Sequence, residues 1–208
     1  MFPILFFLAA TTHLGPMGPD APAREPQMAA NGSMVAMTFG ASHAIYFSLS
    51  RDGGNTFSPP AKVAEAGIIP LTRHRGPRIA FAGNTIVITA VVGNKEEQAD
   101  HAHGLPSDGD LTVWRSQDGG KTWSEGTHIN DVTASATEGL HALASNGKGL
   151  LYAAWSTNEE KARACAPPAP TMAASPGPRM WRCISRRMVP SANAAILLWR
   201  FLLSVNCS

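Results

Sequence analysis

Ser116–Ser124 reads SQDGGKTWS, and 66 residues earlier Ser50–Ser58 reads SRDGGNTFS. The chain thus writes S-x-D-G-G-x-T-[FW]-S, here called the box, twice. An Asp side chain can accept hydrogen bonds from backbone N–H groups two residues on, a Gly pair supplies positive φ, and a Thr ties the far side of the turn. Each box is preceded by a run of alternating character, HAIYFSLS and DLTVWRSQ, with the period of a half-buried strand. Each box is therefore expected as a turn between two strands. Phe57 and Trp123 supply the large apolar surface that anchors it in the core.

A second pattern lies upstream. MAANGSMVAMTFG, IAFAGNTIVITAVVG and ALASNGKGLLYAAW each place a turn around Gly32, Gly83 or Gly147 between two apolar strand candidates. The repeating unit is strand, turn, strand, connection, strand, box, strand. Four antiparallel strands in roughly 50 to 65 residues is the size of a propeller blade.

The two boxes resemble the Asp-boxes, or bacterial neuraminidase (BNR) repeats, of sialidase-like six-bladed β-propellers. The likeness covers residues 28 to 155 and is greatest to secreted bacterial proteins of exo-α-sialidase-like type. It implies an all-β partial propeller of about two and a half blades. In that family the boxes lie on the outer rim, so Ser50, Asp52, Gly54, Thr56 and Phe57, with Ser116, Asp118, Gly120, Thr122 and Trp123, are expected to be structural. A calcium loop of the helix–loop–helix kind needs more oxygen ligands at fixed spacing than RDGGN offers.

The charge is divided unevenly. Residues 1–160 carry all fifteen acids and ten Lys and Arg, a net of −5, whereas residues 161–208 carry seven Lys and Arg and no acid, a net of +7. The opening MFPILFFLAATTH has an apolar run of signal-peptide length followed by small residues, and it implies export, although no Lys or Arg precedes it. Residues 1–14 are thus read as a signal peptide and 15–27 as a Pro/Gly-rich linker. Blade one is placed at 28–70, blade two at 71–133 and the start of blade three at 134–160. Cys165, Cys183 and Cys207, odd in number and irregular in spacing, form neither a disulfide framework nor a zinc site.

The tail, residues 161–208, lacks strand alternation, and its apolar run AAILLWRFLLSV is interrupted by Arg200 and too short to span a bilayer. Neither stacking aromatics nor an amphipathic period accompanies its charges, which argues against nucleic acid or a membrane surface. A disordered linker remains open. So does a shifted reading frame. Because Met and Trp have single codons, reading two bases on forces Gly across Met172 and Ala173, Val across Met180 and Trp181, and Gly across Met188 and Val189. Residues 169–178 can then read SDDGGVTWS, a third box. A frame change is accordingly placed between about Trp155 and Ala164.

The resemblance also implies chemistry: three arginines on a substrate carboxylate, a Tyr nucleophile activated by a Glu, and an Asp as acid/base, outside the two-carboxylate scheme of most glycosidases. A guanidinium suits the first task because its planar fork pairs bidentately with a carboxylate. HRGPRIAF resembles the family's F/Y-R-I-P element, with Ala80 where Pro is usual and with its place before the second box instead of the first. Arg78 is the candidate arginine, with a strand-end surface role as its competitor, and Arg75 is the fallback. Glu138 and His141, in ATEGLHALA, stand at the entry to the inner strand of blade three and are candidates for catalytic and substrate-binding roles, against a plain turn glutamate and a half-buried strand histidine. His101, His103, Asp108 and Asp110 lie in the loop at residues 94–110, which reads as a solvated insertion; no metal is expected. Tyr46 and Tyr152, the only tyrosines, sit in strand patterns unlike the family nucleophile's context.

No complete catalytic set assembles within residues 1–160. The expectation is an exo-α-sialidase-type glycoside hydrolase fragment, inactive alone, or else a non-catalytic propeller binding a glycan or a protein. No cofactor, nucleic acid or integral membrane segment is expected. A fragment would leave blade faces and strand edges unpaired, which predicts marginal stability and aggregation.

Overall fold

The structure is a computed structural model describing residues 22–95, 104–130, 132–136, 138–147 and 149–156, with the backbone of 183–186. Its strands are β1 (Arg24–Asn31), β2 (Met34–Ala41), β3 (Ala44–Ser50), β4 (Ala61–Glu65), β5 (Arg78–Ala82), β6 (Thr85–Val92), β7 (Asp110–Ser116), β8 (Thr127–His128), β9 (His141–Ser145), β10 (Leu151–Ser156) and β11 (Cys183–Arg186). They form two four-stranded antiparallel sheets in sequence order, β1-β2-β3-β4 and β5-β6-β7-β8, and a three-stranded sheet β11-β10-β9.

The first hairpin of every sheet turns at a glycine of positive φ: Gly32 at 60°, Gly83 at 58° and Gly147 at 70°. These are the glycines that recur in the sequence, and the left-handed conformation is what a tight two-strand turn demands of them. Both boxes join the third strand of a sheet to its fourth.

The first strands of the three sheets lie side by side in the same direction. Near their ends the Asn31 Nδ2 donates to the Gly83 carbonyl at 2.9 Å and the Ser145 hydroxyl to the Phe81 carbonyl at 2.6 Å. Near their starts Glu25 of β1 packs against Gly76, two residues before β5. Each sheet fans outward from this inner row, so the molecule is a partial β-propeller: two full blades and the inner strands of a third.

Blades meet face to face. Ala36, Ile45, Phe47 and Leu49 of blade one bury Ile79, Phe81, Ile86, Ile88 and Trp114 of blade two. From the opposite face of blade two, Val87 and Val113 pack on Leu151, and Val91 and Leu111 on Ala153 and Trp155. Alternate residues of β6 therefore serve two interfaces, and burying each such Ile or Val completely contributes roughly 1.5–3 kcal/mol. This corrects the half-buried reading of the strands that lead into the boxes. β3 and β7 are buried at six of seven positions, and for β7 the reason is that blade two has a neighbouring blade on each face.

Two further features depart from expectation. β1 begins at Arg24, inside the stretch read as linker. Pro26 is accommodated because the register shifts between Arg24 and Gln27, where Glu25 takes φ 52°, and because β1 is the sheet's edge, so the missing N–H costs no ladder bond. In the third sheet, β11 pairs parallel with β10, where the other blades place an antiparallel third strand. The remaining tail residues, the apolar segment 1–14, and His101 and His103 lie outside the described residues.

Candidate functional site

The boxes close as twin hydrogen-bonded turns. In the first, Asp52 Oδ1 accepts from the Ser50 hydroxyl (2.7 Å) and the Thr56 N–H (2.9 Å), while Oδ2 accepts from the Thr56 hydroxyl (2.6 Å). In the second, Asp118 Oδ1 accepts from the Ser116 hydroxyl (2.8 Å) and the Lys121 and Thr122 N–H groups (both 3.0 Å), and Oδ2 accepts from the Thr122 hydroxyl (2.6 Å). The Ser oxygens in turn accept from the Gly54 and Gly120 N–H groups, both at 2.8 Å. Gly53 and Gly54 have φ of 73° and 93°, and Gly119 and Gly120 75° and 87°. The Thr56 hydroxyl, its N–H and the Ser50 hydroxyl hold the Asp52 carboxyl down to about 2, and the corresponding bonds hold Asp118 well below the usual carboxylate range. These carboxylates spend three and four of their acceptor positions on their own turns, as a turn-closing role requires. Both box aromatics are half-buried: Trp123 packs edge-on against Phe47 of blade one (centroids 5.1 Å apart), whereas Phe57 lines a cleft.

The other candidates gather where the inner strands begin. Arg78, the first residue of β5, donates from Nη2 to the His74 carbonyl at 2.6 Å and from Nη1 to the carbonyls of Gly76 and Pro77, both at 3.2 Å, and of Arg75 at 3.4 Å. The guanidinium caps its own loop, and burial pulls its pKa down against the opposing pull of Glu25. Arg75 crosses to blade three, donating from Nε to the Glu138 carbonyl at 2.6 Å, with Nη2 3.8 Å from Glu138 Oε2. The Glu138 side chain is 54% exposed, so this ion pair contributes little. His141, first in β9, is buried, with Nε2 3.1 Å from the Thr89 hydroxyl and 3.3 Å from its carbonyl. Burial, and secondarily Arg78, lowers it to about 4, so it is neutral at pH 7. Thr89, from the middle of β6, was not legible as a partner because only the blade stacking brings it to His141.

Arg75, Arg78, Glu138 and His141 gather at one end of the inner row, where the two arginines tie loop carbonyls and His141 joins β9 to β6. A second cluster at the same end of blade two was read as a solvated insertion, and Asp110 corrects that reading. At 4% exposed it opens β7, where its Oδ1 accepts from Asn130 Nδ2 at 2.6 Å and the Ala134 N–H at 2.5 Å, and its Oδ2 lies 3.2 Å from His128 Nδ1. Asp108 accepts from the N–H groups of Asn94 and Lys95, both at 2.9 Å, pinning the two ends of the loop. These bonds outweigh the upward push of burial and lower the Asp108 carboxyl. Among the described residues no group of three or more His, Cys, Asp and Glu is placed to hold a metal, and no helix is long and apolar enough to cross a membrane.

No protein-family model matches the chain, and no curated protein does. Among solved structures it is similar to a mutant of the GH43 protein BlXynB from Bacillus licheniformis, at 15% identity and a TM-score of 0.43, covering 65% of this chain and 27% of that one. It is similar to the Hadza microbial sialidase Hz136 at 16% identity and a TM-score of 0.40, covering 63% and 34%. A third is the xylan beta-1,4-xylosidase from Bacillus Halodurans, at 14% identity and a TM-score of 0.42, covering 65% and 26%. The chain thus spans about a quarter to a third of the length of these structures. Likeness at this level bears on neither substrate nor chemistry.

Proposed function

We propose that the chain is part of an exported Asp-box propeller of the six-bladed sialidase-like type, that its parent is an exo-α-sialidase-like glycoside hydrolase, and that this portion alone turns over no glycoside. One observation carries the reading. Two boxes close with matching Ser–Asp–Thr bonds on the same strand connection of consecutive four-stranded blades. Inactivity is supported by the side chains of the described residues. Tyr46 of β3 stacks on Phe39 of β2, Tyr152 lies on β10, and the two candidate arginines, Arg75 and Arg78, donate to backbone carbonyls. A frame change near residue 160 accounts for the acid-free tail, and the parallel β11 is in keeping with a segment not selected as a blade.

The test is to sequence the coding DNA from the Leu150 codon through and beyond the stop, restore any shifted frame, and assay both proteins for sialic acid release from a model glycoside. The expected result is further boxes downstream and activity in the restored protein alone. A confirmed frame with no further blades, or turnover by the chain as it stands, would sink the reading. The alternative, a non-catalytic glycan- or protein-binding propeller, draws support from Arg78, whose fork is turned onto its own loop. Specific retention on a glycan array by a restored protein without hydrolysis would select it.

A further inference from the structure

The outer rim carries a cleft of about 530 Å³ between the two boxes. Phe47, Leu49, Phe57 and Pro59 give it an apolar lining, while Arg51 of the first box and Lys121 of the second supply cations from opposite sides. No acidic side chain lines it. Asp52 and Asp118, the nearest carboxylates in sequence, do not line it; each is tied into its own turn by neutral N–H and O–H donors and keeps its charge. Neither the Arg51 guanidinium nor the Lys121 ammonium has a hydrogen-bond or ion-pair partner among the described residues. The Arg51 side chain reaches across to the second box: a Cβ on Gly119 would come within 2.8 Å of its Nη2, so the guanidinium lies beside that turn's backbone.

The cleft's hydroxyls narrow the ligand. Thr56 donates to Asp52 Oδ2 at 2.6 Å and the Ser58 oxygen accepts from the Leu49 N–H at 3.1 Å, which leaves the Ser58 O–H as the hydroxyl donor of the lining and the Thr56 oxygen as an acceptor. Beside these the lining offers two unpaired cations over hydrocarbon and two aromatic rings. That complements a carboxylate joined to an apolar body, and offers little to a polyhydroxylated one.

We propose that this cleft is a docking site for an acidic peptide segment in which Asp or Glu alternates with an aromatic or aliphatic residue. Its carboxylates pair with Arg51 and Lys121, and its apolar side chain lies on Phe57 and Pro59. The site is independent of the inner-strand end and of any glycosidase activity. It is tested on the full chain by fluorescence polarisation with a fluorescein-labelled DFDLE peptide, alongside NFNLQ and DSDSE controls. DFDLE is expected to bind, with affinity falling about tenfold or more for either control and for the Arg51→Glu/Lys121→Glu double variant. Amide shifts in the unaltered chain are expected at Phe57, Gly119 and Gly120. If charge reversal prevents folding, Arg51→Gln/Lys121→Gln decides in its place. No binding, undiminished binding by the variant, equal binding of DSDSE, or displacement by glucuronate as effective as by unlabelled peptide would each overturn the proposal.

Discussion

The two boxes share a hydrogen-bond scheme and differ in what lies behind them. In blade two, Trp123 packs on Phe47 of the preceding blade, and Gly120 sits so close to that ring that a side chain would collide with it. In blade one, Gly53 faces open space, a Cβ on Gly54 would only touch a Val35 methyl at 3.8 Å, and Phe57 lines a cleft instead of a core. The motif therefore encodes a turn, and the neighbouring blade decides whether that turn is also an interface.

The sharpest way to break this comparison is to truncate the anchors. Trp123→Ala should destabilise by about 3 kcal/mol and Phe57→Ala by about 1, measured as urea unfolding of dilute protein. Equal losses would mean that the first box is packed as fully as the second.

Acid titration separates the rim from the inner row. His141 has a folded pKa of about 4, below its ordinary 6.5, so its contribution is present above pH 6.5 and is lost as pH falls toward 4, at a cost of roughly 3 kcal/mol when complete. His141→Gln should flatten stability across that window. A slope that survives the substitution would assign the effect elsewhere.

A smaller difference is expected from the glycines. Gly120→Ala should cost about 2–3 kcal/mol, combining positive φ with the approach of Phe47, and Gly53→Ala about 1, from φ alone. Closest to parity are the carboxylates. Asp52 is stabilised above its ordinary pKa near 4, and that stabilisation is lost toward pH 2; Asp118 behaves alike and further down. Asp52→Asn and Asp118→Asn should both lower the melting temperature at pH 7, with less difference between them than between the two anchor variants. A loss confined to one would contradict the equivalence of the turns.

Much of this was legible in the chain. The paired glycines, the Asp and Thr at fixed offsets and the period-two runs prescribe turns and strands through local backbone sterics and short-range hydrogen bonds, and the repeat spacing sets the blade. The candidate residues were placed near the inner row by the family resemblance. Their roles were not legible. Arg78 and His141 are defined by carbonyls and a hydroxyl brought in from other segments, and Asp110 is buried by a turn twenty residues on, relations that only packing creates. Pro26 gave the opposite error, since a composition that favours a linker is equally at home on a bulged edge strand. The sequence by itself determined the turns, the strands and their repetition, because those depend on neighbours along the chain. The tertiary structure alone decided which faces are buried on both sides, which arginine is committed and which cations are left unpaired, because those depend on the blade that stacks alongside.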